Sequence, residues 1–243
     1  HAGYLLPYLK PGLRVLDFGS GPGTITVGLA GAVDPGEVHG IDMEESQIEL
    51  ARAAAAGGGH DNAVFHVGDV TSLPFEDNFF DVAHCHAVLM HVPNTDATLA
   101  EVKRVLKPGG IIASRETVVA SCFAEPSTDT LRSGWTVFGN LISANGGHPQ
   151  MGRELKSRLV EAGFTDVEAS ASFDVFSSSE DVAFLHGFIM DWFFMPRVIE
   201  AATAYGLATR DQFEEWRAAL EEWRGHAGAV GAIAFGEAIG TKS

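Results

Sequence analysis

Short apolar runs alternate with amphipathic stretches through the first half of the chain. Leu13 to Phe18 is an apolar run that reads as a strand; it leads into Gly19-Ser20-Gly21-Pro22-Gly23-Thr24 and then an apolar helical stretch, Ile25 to Ala32. Glu37 to Ile41 reads as a second strand ending at Asp42, followed by a helix over Glu44 to Ala56 that Gly57 is placed to stop. Asn62 to Val67 is a third strand closed by Gly68-Asp69, and Phe79 to Cys85 a fourth. Thr95 to Leu106 is helical, with Leu99, Val102 and Leu106 on one face; Pro108-Gly109-Gly110 breaks it, and Ile111 to Ser114 begins a fifth strand. Strands and helices in alternation predict an α/β fold with a parallel sheet covered on both faces.

From Ser127 the pattern changes. Leu131, Trp135, Phe138 and Ile142 lie at helical spacing, and Arg153 to Ala162 is a further helix ended by Gly163. Val167, Ala169, Ala171, Phe173 and Val175 alternate as a strand. Serines 177 to 179 with Glu180 and Asp181 read as a cap before the aromatic-rich Val182 to Met195, and Thr209 with Gln212 as a capping box before the stripe Phe213, Trp216, Leu220 and Trp223. That stripe is expected to pack the helix down onto the protein. Val230 to Ile239 is apolar enough for a closing strand.

Composition narrows the partners. With 243 residues, 46% of them hydrophobic, the chain can bury one substantial core, so a single domain over 1–243 is expected. A formal net charge of −16 argues against nucleic-acid or anionic-membrane partners, which need clustered Lys and Arg. Two cysteines, Cys85 and Cys122, form neither a disulfide framework nor a zinc pattern. No apolar run approaches membrane-spanning length and no signal-peptide pattern opens the chain, so no membrane insertion and a cytoplasmic location are expected. The chain opens at His1 with no initiator Met, which leaves room for a preceding segment.

The glycine-rich turn carries the first chemistry. Gly19, Gly21 and Gly23 give G-x-G-x-G, with Thr24 where the third glycine of a dinucleotide-binding turn would fall, and Pro22 withholds an N–H from the loop. Asp42 ends the second strand about twenty residues beyond this turn, where a carboxylate can accept hydrogen bonds from both hydroxyls of a ribose. Val67-Gly68-Asp69-Val70-Thr71-Ser72-Leu73-Pro74-Phe75, Asn78-Phe79-Phe80-Asp81-Val82 and Val105-Leu106-Lys107-Pro108-Gly109-Gly110 follow in order. The ordered set resembles the class I S-adenosylmethionine (SAM)-dependent methyltransferases, in particular the branch of the ubiquinone/menaquinone-biosynthesis methyltransferases.

The resemblance is firm from Tyr4 to Arg115 and looser beyond. It implies a Rossmann-like fold with a seven-stranded, mostly parallel sheet, helices on both faces and helical lid insertions. In this division 1–118 is the SAM-binding core, 119–150 and 177–228 are substrate-lid insertions, and 164–176 and 229–241 are closing strands. It further implies that Asp17, Gly19, Ser20, Gly21 and Gly23 line the amino-acid end of SAM and that Asp42 holds the ribose, supported by Gln47. Met43 then lies along the adenine, Asp69 with Val70 at its edge, and His86 near the amino-acid end. Read innocently, Asp42 caps a helix, Met43 is core and Asp81 positions its strand.

Methyl transfer needs a nucleophile aligned with an activated methyl group, and a base only where the nucleophile must lose a proton. Alternation along the fourth strand puts His84 and His86 on one face near the carboxyl end of the sheet, where open α/β sheets bind ligands. These two and Glu116 are the candidate catalytic groups, with His148 a further possible base; for His91 a packed, structural role is preferred. No acidic or cysteine partner stands at metal-binding spacing, so no metal is expected. Aromatic lid insertions suggest a small aromatic or polyketide-like acceptor methylated at carbon or oxygen, with S-adenosylhomocysteine as product. An amine N-methyltransferase and a SAM-binding protein without transferase activity are the alternatives; a dehydrogenase is opposed by the glycine spacing. A homodimer is compatible with each.

Overall fold

A computed structural model describes residues 2–243. The first half alternates as the pattern predicts: β1 (Arg14–Phe18), α1 (Thr24–Val33), β2 (Glu37–Asp42), α2 (Glu45–Gly58), β3 (Ala63–Val67), β4 (Phe80–His86), α3 (Thr95–Val105) and β5 (Leu106–Thr117). Then come β6 (Phe123–Glu125), α4 (Asp129–Ala144), α5 (Met151–Glu161), β7 (Phe164–Phe176), α6 (Ser179–Phe193), α7 (Pro196–Ala204), α8 (Arg210–Gly225) and β8 (Val230–Lys242). No single helix among the described residues is long and apolar enough to cross a membrane.

The strands form one sheet in the order β3-β2-β1-β4-β5-β8-β6, with β7 on the other side of β8. β1 to β5 pair in parallel, whereas β8 runs antiparallel to β5, β6 and β7. The sheet has eight strands rather than the expected seven. The extra one is β6, three residues that borrow the part of the β8 edge that β5 leaves open.

Alternate residues of β1 feed two cores. Leu16 and Phe18 pack with α3 and α5 through Leu99, Val102, Leu155 and Leu159, and Val15 packs with α1 through Leu29, Ala30 and Val33. A third cluster lies where α4, α6, α7 and α8 pack through Leu141, Phe193, Ala202, Phe213, Trp216 and Trp223 against Ala124, Phe176 and Ile233 of the sheet. Both capping expectations hold: Ser178 with Asp181 and Thr209 with Gln212 form reciprocal boxes that satisfy the first N–H groups of α6 and α8. Two boundaries differ. α2 runs through Gly57 and ends at Gly59, whose φ of 69° supplies the left-handed stop. Lys107–Gly110 leave the ladder at the start of β5 rather than ending a helix, since Phe80 pairs Leu106 and Val82 pairs Ile111.

The alternating residues do form a strand, β7, but its apolar side at Phe173 and Val175 faces outward. Phe173 and Val175 are 53% and 56% exposed, whereas Ser172, Asp174 and Phe176 are the half-buried residues. Polar side chains turn inward because an arginine and a glutamate from neighbouring strands await them there, as described below.

Candidate active site

At the end of β1 the chain makes the tight turn that its glycines allow. Gly19 has φ 70°, and a Cβ there would run into the Val88 side chain; Gly23, at φ 77°, opens α1 and would meet Ala51 and Phe65. At Gly21 a Cβ would meet nothing, so the loop presents bare backbone to open space. The Gly21 N–H donates to Asp42 Oδ2 at 2.9 Å while Glu44 N–H donates to Oδ1 at 3.0 Å, so the end of β2 is tied to the loop. Asp17, 3% exposed, receives the Thr26 hydroxyl at 2.5 Å and lies 2.8 Å from His84 Nδ1. The buried Ser20 hydroxyl has no protein partner.

Met43 is 72% exposed at the rim of this cradle, which removes the reading of it as core. Gln47 and Val70 are half-buried and Asp69 is exposed, its Oδ1 accepting both the N–H and the O–H of Thr71 at 2.8 Å. Those two bonds hold the Asp69 carboxyl below the usual range. Asp81, as its innocent reading supposed, fixes strands, receiving Arg14 N–H at 2.9 Å and Lys107 Nζ at 2.6 Å.

The cradle opens into a cavity of about 540 Å³. Asp17, Gly19, Ser20, Gly21, Pro22, Thr24 and Ile25 line one end of it. Trp135 and Phe138 of α4, Phe184, Phe188 and Trp192 of α6, and Trp216 and Leu220 of α8 line the other. The α8 stripe therefore does more than pack its helix: Trp216 is 2% exposed, donates its indole N–H to Ser133 at 2.8 Å, and also faces the cavity.

The predicted catalytic groups separate. His86 lines the cavity, and burial together with the nearby Arg115 guanidinium lowers its pKa to about 4, so the imidazole is neutral near pH 7. His91, read from sequence as structural, also lines the cavity, its pKa lowered by burial. His84 and Glu116 are each 0% exposed and neither lines the cavity, so as acceptor-contacting bases both are corrected. Glu116 instead accepts the N–H groups of Val88, Leu89 and Met90 at 2.9–3.0 Å. It pins the turn after β4, where Ala87 takes φ 54° and Met90 reaches the cavity. Burial raises the Glu116 pKa against the pull of those three donors. His148 donates its backbone N–H to Met90 O at 2.8 Å and does not line the cavity.

One polar feature escaped the sequence reading. The ladders place His86 beside Arg115, Arg115 beside Glu237 and Glu237 beside Ser170, a polar row across four strands. Arg115, 3% exposed, sits 3.6 Å above the Phe235 ring, contacts Glu237 Oε1 at 3.2 Å and grips Asp174 with both terminal nitrogens at 2.8 and 3.2 Å. Asp174 lines the cavity. Its partner lies 59 residues away in sequence, so only the pairing of the strands could reveal it.

A glycine turn with bare backbone, a carboxylate tied to it from the next strand and an adjoining aromatic chamber are the marks of a cofactor-dependent group-transfer enzyme. The chain matches the methyltransferase domain family over residues 9–163, and it belongs to that family. It is 34% identical to an uncharacterized methyltransferase of Schizosaccharomyces pombe over 188 residues, 73% of this chain and 66% of that one. It is 40% identical to the demethylmenaquinone methyltransferase of Staphylococcus aureus over 110 residues, 45% of each chain. These overlaps span about half to two thirds of the relatives' own length. The structure of the YcgJ protein of Bacillus subtilis superposes with a TM-score of 0.65 at 16% identity, covering 99% of this chain and 97% of that one, which shows the shared fold.

The residues present fit SAM, the cofactor of this family. Glycine backbone that a Cβ would obstruct, the unpartnered Ser20 hydroxyl and the Asp42 carboxylate offer donors to its carboxylate and acceptors to its ammonium and ribose hydroxyls.

Proposed function

We propose that the protein transfers a methyl group from SAM to a small, largely apolar acceptor of aromatic or polyketide-like character, at oxygen or carbon. The observation that carries this reading is the single cavity joining the cofactor end, at Gly19 to Ile25, to the aromatic chamber of α4, α6 and α8. A protein that only bound SAM would need no such chamber. In this reading residues 119–150 and 177–228 are the acceptor lid, and their rings supply shape and apolar area.

When bound, the sulfonium supplies an electrophilic methyl carbon. The chain's own residues then hold the acceptor and take its proton. Asp17, Gly19, Ser20 and Gly21 hold the amino-acid end of the cofactor, Asp42 with Gln47 the ribose, and Met43, Asp69 and Val70 the adenine side. His86, neutral at physiological pH, accepts a hydrogen bond from an acceptor hydroxyl and takes its proton as the new bond to carbon forms. A pKa near 4 suffices, because the proton of an oxygen being alkylated becomes far more acidic than that of the free hydroxyl. The walls exclude water, so the displacement depends chiefly on alignment.

Resemblance to a demethylmenaquinone methyltransferase supports a ring acceptor. The acidic Asp174 among aromatic walls favours a second reading, an amine acceptor recognised as a cation. The deciding experiment incubates the protein with methyl-labelled SAM and a panel of phenols, quinols and arylalkylamines, and follows S-adenosylhomocysteine release and product label. Label in phenols or quinols supports the primary reading and label confined to amines the second. Tight SAM binding with release against none would leave a binding protein without transferase activity.

A further inference from the structure

We propose that His84 is a positioning residue for the cofactor: its ring N–H fixes the Asp17 carboxylate so that Asp17 receives the ammonium group of SAM. This rests on the cofactor reading above and gives a role to a histidine that does not itself line the cavity.

The register of the sheet brings the pair together. Asp17 of β1 and His84 of β4 lie opposite one another in adjacent parallel strands. Behind them on the same face, Val15, Val38, Val82 and Ala113 form the apolar layer that α1 covers. A carboxyl and an imidazole at the end of such a layer cost stability unless their polar atoms are engaged. His84 is 0% exposed, and its Nδ1 lies 2.8 Å from Asp17 Oδ1. From the other side the Thr26 hydroxyl of α1 donates to Oδ2 at 2.5 Å. Two strands and a helix thus converge on one carboxyl group.

The ring of His84 can turn only one donor to use. Its Nε2 is buried with no partner, and the Tyr4 ring stands over the imidazole at a centroid separation of 6.4 Å. An N–H at Nε2 would forfeit its hydrogen bond, so the ring hydrogen belongs on Nδ1, directed at Asp17.

Of His84, Thr26 and Asp17, Asp17 alone reaches the cavity, at the end lined by Gly19, Ser20 and Gly21. A carboxylate offers about four acceptor positions on its two oxygens. Thr26 and His84 occupy one on each oxygen, which stops the group from rotating and leaves capacity for a further donor. The amino-acid end of SAM carries one anionic group and one cationic donor, and of these a carboxylate admits the ammonium. Because Asp17 is already fixed, that ammonium meets an acceptor that needs no ordering on binding.

Calorimetric titration can isolate this contact by comparing S-adenosylhomocysteine with its deaminated analogue, in which hydrogen replaces the amino group. The wild type is expected to prefer S-adenosylhomocysteine by about 10-fold or more, as for a hydrogen bond between charged groups, and Asp17→Asn to lose most of that preference. In His84→Leu, which keeps the volume and removes the donor, the preference shrinks to roughly 2–3-fold while affinity for the deaminated analogue stays within about 2-fold of wild type. His84→Asn, whose amide can place an N–H near the position of Nδ1, recovers most of it. A packing role predicts the reverse order, with His84→Leu near wild type, His84→Asn the weaker, and both ligands affected alike. An undiminished preference in folded His84→Leu overturns the proposal and leaves the cofactor reading standing, as does equal binding of both ligands by the wild type. If the wild type binds neither ligand, the cofactor reading itself fails. Should His84→Leu not fold, His84→Gln, whose amide nitrogen falls nearer the place of Nε2, is read by the same preference and is expected to reduce it.

Discussion

Asp42 spends both carboxylate oxygens on the backbone N–H groups of Gly21 and Glu44, and so holds the cradle's shape besides offering lone pairs to a ribose. Asp42→Ala is therefore expected to weaken binding of S-adenosylhomocysteine by roughly 1–3 kcal/mol, measured calorimetrically, because buried hydroxyls and a loop N–H lose their partner together. Glu116 is the complementary case, a buried carboxyl whose work is internal. Glu116→Gln turns an NH₂ group toward N–H donors that need acceptors, and should lower stability by about 1–3 kcal/mol in denaturant titration. Ala87, at φ 54° in the turn that Glu116 pins, identifies the segment that would relax. The sequence could name Glu116 as notable, but whether its carboxyl meets solvent, acceptor or backbone depends on where residues 88–90 pass.

Among the elements, α8 joins stability to recognition. Trp216 packs against Phe193 and Phe213 at ring separations of 5.8 and 4.9 Å and also lines the cavity. Trp216→Ala should cost about 3–5 kcal/mol and raise the acceptor KM, while S-adenosylhomocysteine titration stays close to wild type because the cradle belongs to other elements. The junction of α5 with the sheet is less tolerant. A Cβ on Gly236 would overlap the Gly152 carbonyl, backbone against backbone, so Gly236→Ala should fail to accumulate as folded protein in a thermal melt or solubility assay. Both glycines lie where the sequence carries only the looser part of the resemblance, and their mutual approach, backbone against backbone, is visible only in the fold.

Across the whole molecule, the folded chain favours the neutral form of several histidines. The His86 pKa falls from an unfolded value near 6.5 to about 4, and burial lowers those of His39, His66 and His91 as well. Between these limits the unfolded chain binds more protons than the folded one. The contribution of His86 is therefore complete above about pH 6.5 and is lost as pH falls toward 4, and the other three act in the same sense. For His86 the full effect is up to about 3 kcal/mol. The melting temperature should drop between pH 7 and pH 4.5, and by less in His86→Asn. Glu116, raised by burial, acts in the opposite sense, so the difference between wild type and variant is the informative quantity.

The chain by itself determined the α/β alternation, the strand-glycine-helix cradle, the reciprocal caps at Ser178 and Thr209, and the resemblance to a methyltransferase family. Each rests on contacts between residues near in sequence or on a spacing that local backbone geometry demands. Tertiary structure alone decided that His84 and Glu116 are sealed inside while His86 and His91 reach the cavity, since all four are equally polar on paper. It also decided that β7 turns its polar face inward and leaves Phe173 and Val175 exposed, and that Asp174 meets Arg115. Alternation along a strand fixes which side chains share a face, but the neighbouring strands choose which face is buried. Arg115 and Glu237 on β5 and β8 made that choice, at separations that no local pattern can encode.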